Sequence, residues 1–395
     1  MSQGTIPDLP VLIIGAGVAG LTLAQGLRLR SIPFLLFERH PLRSSQGHRF
    51  RISKDGQTAL NSVLSPQLQS LLRRTAPDGN SFEPRYVDAK KLSYPAPKPT
   101  PVDPVSMSVD RTWIRMLTSL DIQDAIEYEK ELESYEIVGE QVRVNFTDGS
   151  VALGKLLVGA DGLRSRVRKQ LQPGRRLLHL DRHVLWGRTS LTEDLKGKLP
   201  EDLLSWCMYL DQETNVQMVV EPVTWSKSVR QESESRLPDF SDYIYWVVCT
   251  SSKSEPLPKT VDEKKAFLEE ATKAWHPSLK LILDSATHDL STCIPVLSSK
   301  PDIELRSARE TGRITLTGDA AHAMSPMGGS GGDTAIRSAA DLARTIAEEG
   351  ITKDSLAGFE ARMEARAKER IEHSFRGGQK FWRGKEWEEY GEADI

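Results

Sequence analysis

The chain has 395 residues, 38% of them hydrophobic and 27% charged, with a net charge of −3. That length implies two or three domains with an ample core, and the near-neutral charge gives no electrostatic reason to expect nucleic acid or an anionic membrane as partner. No apolar run approaches a membrane span of roughly 18 residues, the first residues lack a secretory signal, and three scattered cysteines (Cys207, Cys249, Cys293) point to a reducing compartment with neither a disulfide framework nor a metal site. A cytoplasmic location follows as the expectation.

In chain order, the continuous apolar run Val11-Leu12-Ile13-Ile14 predicts a buried parallel strand. A glycine-rich turn follows, then a helix over 18–30 and a second strand over 34–38, which together make a βαβ unit. Residues 57–73 read as a helix, the proline-rich stretch 84–105 as an extended excursion, and 110–123 as a helix. Alternation over 142–146, the turn Thr147-Asp148-Gly149-Ser150 and the run 151–153 predict a hairpin. A buried strand is expected at 156–158. Strand-like runs at 183–190, 205–210, 215–221 and 243–250 suggest an antiparallel sheet, hence a second region of different character. Residues 261–285 read as helix, 313–317 as a strand rejoining the first region, and 334–348 and 354–380 as helices.

Three stretches carry chemistry. The first is Gly15-x-Gly17-x-x-Gly20, set between a predicted strand and a predicted helix, with Glu38 ending the next strand. A dinucleotide needs that context: glycines for the turn, for pyrophosphate approach and for helix packing, and an acid for a ribose hydroxyl. The second, Asp161-Gly162-Leu163-Arg164-Ser165-Arg166-Val167-Arg168, follows a buried strand. The third is Gly318-Asp319-Ala320-Ala321-His322 with Pro326 and four glycines, Gly328, Gly329, Gly331 and Gly332. A helix N-terminus beside bare backbone N–H groups suits an anion or a polarised carbonyl. His322 reads as a structural histidine of this turn.

In order and spacing, these stretches resemble the class A flavoprotein monooxygenases, the para-hydroxybenzoate hydroxylase-like family. The resemblance implies an α/β fold: a Rossmann-like FAD-binding domain (1–75, 106–178, 300–348), an interleaved antiparallel-sheet substrate domain (76–105, 179–299) and a C-terminal helical segment (349–395). It implies that Gly15, Gly17 and Gly20 hold the FAD pyrophosphate and that Glu38 binds the adenosine ribose, with Arg39 beside it in the cofactor-binding set. Arg111 would lie on the FAD, Asp319 on the ribityl chain, and Gly331 and Gly332 against the flavin. Asp161 would support both FAD and the nicotinamide cofactor, Arg49 or Arg51 would flank the flavin, and Arg188 would take part in the chemistry.

Only one dinucleotide fingerprint is present, so NADPH or NADH is expected to bind transiently over the FAD. The implied reaction uses O2 and a C4a-hydroperoxyflavin to insert one oxygen atom into an electron-rich aromatic or enol small molecule, in secondary metabolism, with a monomeric enzyme. A flavin halogenase or reductase of the same fold, and an FAD-binding protein without turnover, remain as alternatives. The W-x-W-x-I-P stretch of halogenases is absent. Two departures stand out: Asp333 where the family has asparagine, and Ser338 where it has aspartate. An anionic reduced flavin disfavours a carboxylate nearby, so the Asp333 side chain is expected to point away from the ring unless the flavin itself sits differently. Residues 47–52 also replace the small residues often found there.

Overall fold

The computed structural model of the chain describes residues 9–41, 49–79, 85–93, 106–251, 256–305 and 312–393. The parallel sheet is built from β1 (Val11–Ile14), β2 (Phe34–Glu38), β6 (Ile126–Tyr128), β10 (Leu156–Gly159) and β16 (Ile314–Leu316). Its order is β16-β10-β1-β2-β6, with every pairing parallel. β1 and β10, at its centre, are buried at every residue, which explains their unbroken apolar sequence. The α/β fold class read from the sequence is the observed one, and β16 rejoins the sheet beside β10 as expected.

The second large sheet contains β4 (Tyr86–Asp88), β11 (Leu177–Ser190), β12 (Cys207–Asp211), β13 (Val216–Val223), β14 (Tyr243–Ser251), β15 (Thr292–Ser298) and β17 (Glu392–Ala393). The order is β15-β11-β14-β13-β12-β4, and β17 pairs with β11. All its pairings are antiparallel except β4 with β12. One face, with Leu185, Met218, Val220, Ile244, Trp246 and Val248, packs on the helices Val261–Thr272 and Pro277–Asp284. Strand alternation sends Trp186, Arg188, Glu221, Tyr243 and Tyr245 to the other face. Glu221, Tyr245 and Arg188 stand directly opposite one another on three adjacent strands.

Two small sheets complete the strands: a ribbon of β3 (Arg49–Ile52) with β5 (Met107–Asp110), and a three-stranded sheet of β7 (Leu132–Val138), β8 (Gln141–Phe146) and β9 (Val151–Gly154). The expected hairpin is therefore part of a larger unit. The helix expected over 57–73 is two, Lys54–Asn61 and Pro66–Thr75, because Ser65 caps a new helix and Pro66 starts it. The helix expected over 261–285 divides in the same way at Pro277. Residues 107–110 are strand, and the following helix is shorter than expected, Arg111–Ser119. Part of the stretch 84–105 lies outside the described residues.

The helix Gly331–Glu348 begins three residues earlier than its apolar pattern predicts, so Gly331 and Gly332 are its first two residues. The 30-residue helix Lys353–Trp382 packs along it. Among the described residues, no helix is long and apolar enough to cross a membrane.

Candidate active site

The glycines of the first turn do three different jobs. Gly15 has φ +107°, and a Cβ there would stand 2.5 Å from the carbonyl oxygen of Ala160, at the end of β10. Gly20 lies against the carbonyl of Gly15, which lets the helix Val18–Leu29 pack on its own turn. Gly17 precedes that helix with no side-chain cap, and among the described residues, its chain neighbours aside, nothing lies within 4 Å of where its Cβ would be. The helix N-terminus therefore opens onto free space, which fits a pyrophosphate. Glu38, buried at the end of β2, accepts the Ala16 N–H at 2.8 Å and the His40 N–H at 2.9 Å. Those two bonds fill half of a carboxylate's acceptor capacity. Arg39 is exposed, and its Nε donates to His40 Nε2 at 3.2 Å.

Sequence reasoning missed Arg115. One turn after Arg111, it donates to the Ala16 carbonyl at 3.1 Å and lies close enough to Glu38 for that charge to counter the lowering of its pKa by burial. The i, i+4 spacing on a helix was the available signal.

Asp161 is occupied by its own segment. Oδ1 accepts the Ser165 hydroxyl at 2.5 Å, and Oδ2 accepts the N–H groups of Arg166 at 2.8 Å and Val167 at 3.2 Å. It anchors the start of the helix Arg166–Leu171, which Ser165 caps. Burial raises its pKa against these bonds.

Asp319 opens a short helix after Gly318, whose φ is +61°. It is exposed, yet the protein packed around it raises its pKa, while Arg111 and Arg168 pull it down. Arg111, Arg168 and Asp319 thus converge from three distant parts of the chain. His322, at the end of that short helix, is buried, contacts the Ser338 hydroxyl through Nε2 at 3.1 Å, and has its pKa lowered to about 4 by burial. This pairing explains a serine at 338.

Gly329 is left-handed at φ +59° with open space around it. Ser330 makes no side-chain cap, so the first N–H groups of an 18-residue helix lack one. A Cβ on Gly331 would stand 3.7 Å from Met324 Cγ, whereas one on Gly332 would stand 2.5 Å from the Phe50 ring. Asp333 is buried, and its Oδ1 accepts both the N–H and the hydroxyl of Ser53 at 2.8 Å. The carboxylate thus ties the start of this helix to Ser53, the cap of the helix Lys54–Asn61.

The ribbon of β3 and β5 stands between this turn and the second sheet. Alternation in β3 puts Phe50 against Gly332 and sends Arg49 and Arg51 the other way. Both arginines pair with Glu221, Arg51 at 2.6 Å, and Arg49 also lies over the Tyr245 ring. Burial lowers the pKa of Arg49 to about 10 and that of Arg51 to about 9, the second with help from the first. It is Phe50, with Arg111 5.3 Å from its ring centre, that meets the glycine turn. Across the sheet, Arg188 stacks 4.7 Å from the centre of Tyr243, and Trp186 and Trp225 border the two tyrosines. This face is aromatic and cationic.

Residues 114–372 match the model of the FAD binding domain family. The chain belongs to that family. FAD is its cofactor, and the free helix ends at Gly17 and Gly331 fit one. The FAD-binding chain is 29% identical to the dual O-methyltransferase/FAD-dependent monooxygenase of Phaeosphaeria nodorum over 98% of its own length and 47% of that protein's. It therefore spans about half the length of that relative. It is 27% identical to an FAD-dependent monooxygenase of Emericella nidulans, covering 87% of itself and 88% of the relative. Klebsiella pneumoniae HpxO, solved with FAD and uric acid, shares its fold with a TM-score of 0.75 at 18% identity, over 94% of this chain and 89% of that one. The resemblance to flavin monooxygenases read from the three motifs agrees with these relatives.

Proposed function

We propose that the chain is an FAD-dependent monooxygenase that uses NAD(P)H and O2 to insert one oxygen atom into an electron-rich aromatic or enol small molecule of secondary metabolism. One observation carries this reading. An uncapped, glycine-opened helix N-terminus lies on one side of the β3–β5 ribbon, and an aromatic, arginine-bearing sheet face lies on the other. The first suits a flavin; the second suits a flat substrate with an acidic hydroxyl.

When bound, FAD supplies the redox chemistry: two electrons from NAD(P)H and one O2 give one oxygenated product and one water. The protein's part is binding and charge. The first N–H groups of the helix Gly331–Glu348 would stabilise negative charge on a bound flavin. The Asp333 carboxylate is engaged by Ser53 instead. Gly15, Gly17, Gly20 and Glu38 would hold the nucleotide end, and Arg111 and Asp319 the middle. Arg188 binds the substrate oxyanion from its platform on Tyr243. We further infer that 1–75, 106–178 and 300–348 form the cofactor unit and 76–105 with 179–299 the substrate unit. The relative named a dual O-methyltransferase/FAD-dependent monooxygenase supports a substrate that bears an oxygen function, since an O-methyltransferase acts on oxygen.

The test is spectral. FAD-loaded protein is bleached anaerobically with NADPH or NADH, then exposed to air with a panel of phenols. Colour that returns with air and phenol-stimulated NAD(P)H consumption are the expected results. A protein that neither retains FAD nor bleaches overturns the proposal.

A further inference from the structure

Asp110 is a buried carboxylate that the proposed chemistry does not use. It ends β5 and has partners on two sides. Oδ1 accepts the Trp113 N–H at 2.8 Å and so caps the helix Arg111–Ser119. Oδ2 accepts the hydroxyl of Tyr243, on the second sheet, at 2.8 Å. The ring of Tyr243 is the one on which Arg188 stacks. The sheet register sets Arg188 opposite Tyr245, not Tyr243. The Tyr245 ring is taken by Arg49, and Arg188 leans along the sheet to the neighbouring tyrosine.

The far end of a tyrosine ring swings with its first torsion unless its hydroxyl is tied. Here the tie is a buried hydrogen bond of 2.8 Å to a carboxyl group that also caps a helix. Asp110 also lies near enough to Arg188 for the guanidinium to act on its carboxylate. The same turn presents Arg111, the candidate FAD ligand, as the next residue. A single helix start therefore holds a cofactor group and, through Tyr243, the substrate group.

We propose that Asp110 is a positioning residue: through the Tyr243 hydroxyl it fixes the position of the ring on which Arg188 stacks, and so fixes where that guanidinium meets the substrate oxyanion. The inference rests on the reading of Arg188 as the substrate's anchor.

The experiment uses the FAD-loaded protein and the best phenol of the panel. Three single variants, Tyr243→Phe, Asp110→Asn and Arg188→Gln, are made with the double variant Tyr243→Phe/Arg188→Gln. Asparagine still caps a helix, so Asp110→Asn spares the fold. Each is read by KM, kcat, the phenol Kd from perturbation of the flavin spectrum, and the rate of anaerobic bleaching without phenol. Tyr243→Phe is expected to raise KM and Kd on the order of tenfold, the scale of one buried hydrogen bond. Bleaching without phenol stays within about twofold of wild type, since its FAD contacts are untouched. Asp110→Asn moves the same way by less. In the Arg188→Gln background, Tyr243→Phe adds nothing further. Independent, multiplying effects of the two substitutions would overturn the inference. So would a Tyr243→Phe enzyme with wild-type Kd while Arg188→Gln is impaired. If Arg188→Gln itself binds the phenol normally, the reading of Arg188 fails and this inference fails with it.

Discussion

Gly331 and Gly332 are neighbours with opposite surroundings. A methyl on Gly332 meets the Phe50 ring, which Arg111 holds from another direction. Gly332→Ala is therefore expected to lower stability by about 1–3 kcal/mol, the usual range for overpacking, and a lower melting temperature of the apo protein checks this. A methyl on Gly331 would meet Met324 Cγ at 3.7 Å, an ordinary contact, at the start of a helix. Gly331→Ala should melt like wild type, yet bind FAD more weakly by titration if this helix start receives the cofactor as proposed. His322 offers a second test at this scale. Burial lowers its pKa to about 4, so the folded protein keeps it neutral. In the unfolded chain it takes up a proton near pH 6.5, as an unperturbed histidine does. Stability is thus present above about pH 6.5 and lost as the pH falls toward the folded value, by roughly 2 kcal/mol between pH 6.5 and 5. Denaturant unfolding at the two pH values should show His322→Asn losing less than wild type.

At the scale of elements, the ties between helix ends decide the site. Asp333 in the first turn of Gly331–Glu348 accepts two hydrogen bonds from Ser53, the cap of Lys54–Asn61. Asp333→Ala should cost about 1–3 kcal/mol, the penalty of leaving buried donors unpaired. Asp333→Asn keeps an acceptor and should lose less; melting of the pair with Ser53→Ala shows whether the effects share one contact. Helix starts and stops were partly readable in the sequence. Pro66 and Pro277 split two predicted helices because apolar periodicity alone carries across a break that a cap and a proline enforce. The early start at Gly331 was unreadable from periodicity, since glycine contributes nothing to an apolar pattern.

Across the whole molecule, the helix Lys353–Trp382 joins the glycine turn to the antiparallel sheet. Gly377 lies against Met327, where a Cβ would stand 3.2 Å from its carbonyl oxygen. At the helix end, the last carbonyls are taken by side chains of the sheet: Asn215 donates to the Trp382 carbonyl at 2.9 Å, Arg182 donates to the same oxygen, and Gln217 donates to that of Phe381. Arg182 also lies over the Trp382 ring. Arg182→Ala is expected to leave the carbonyl short of a donor and to speed hydrogen exchange over 378–383, with little change in the strands β1 and β10. Uniform loss of protection would show that the contact serves the fold as a whole.

Motif glycines, strand runs and the order of the three stretches were legible because each depends on neighbours in the chain: a turn needs its glycine, and a buried parallel strand its unbroken apolar run. They carried the α/β class and the expectation of FAD before any coordinates. The partners of the charged residues were not legible. Arg49 and Arg51 resemble flavin neighbours in sequence, yet both turn to Glu221, some 170 residues away. Asp110 looks like an ordinary helix cap, and only the approach of β14 adds Tyr243 and, on its ring, Arg188. Local signals set which backbone forms. The pairing of buried charges is set by desolvation, which forces each to find a partner wherever folding brings one within reach, and sequence distance does not enter that choice.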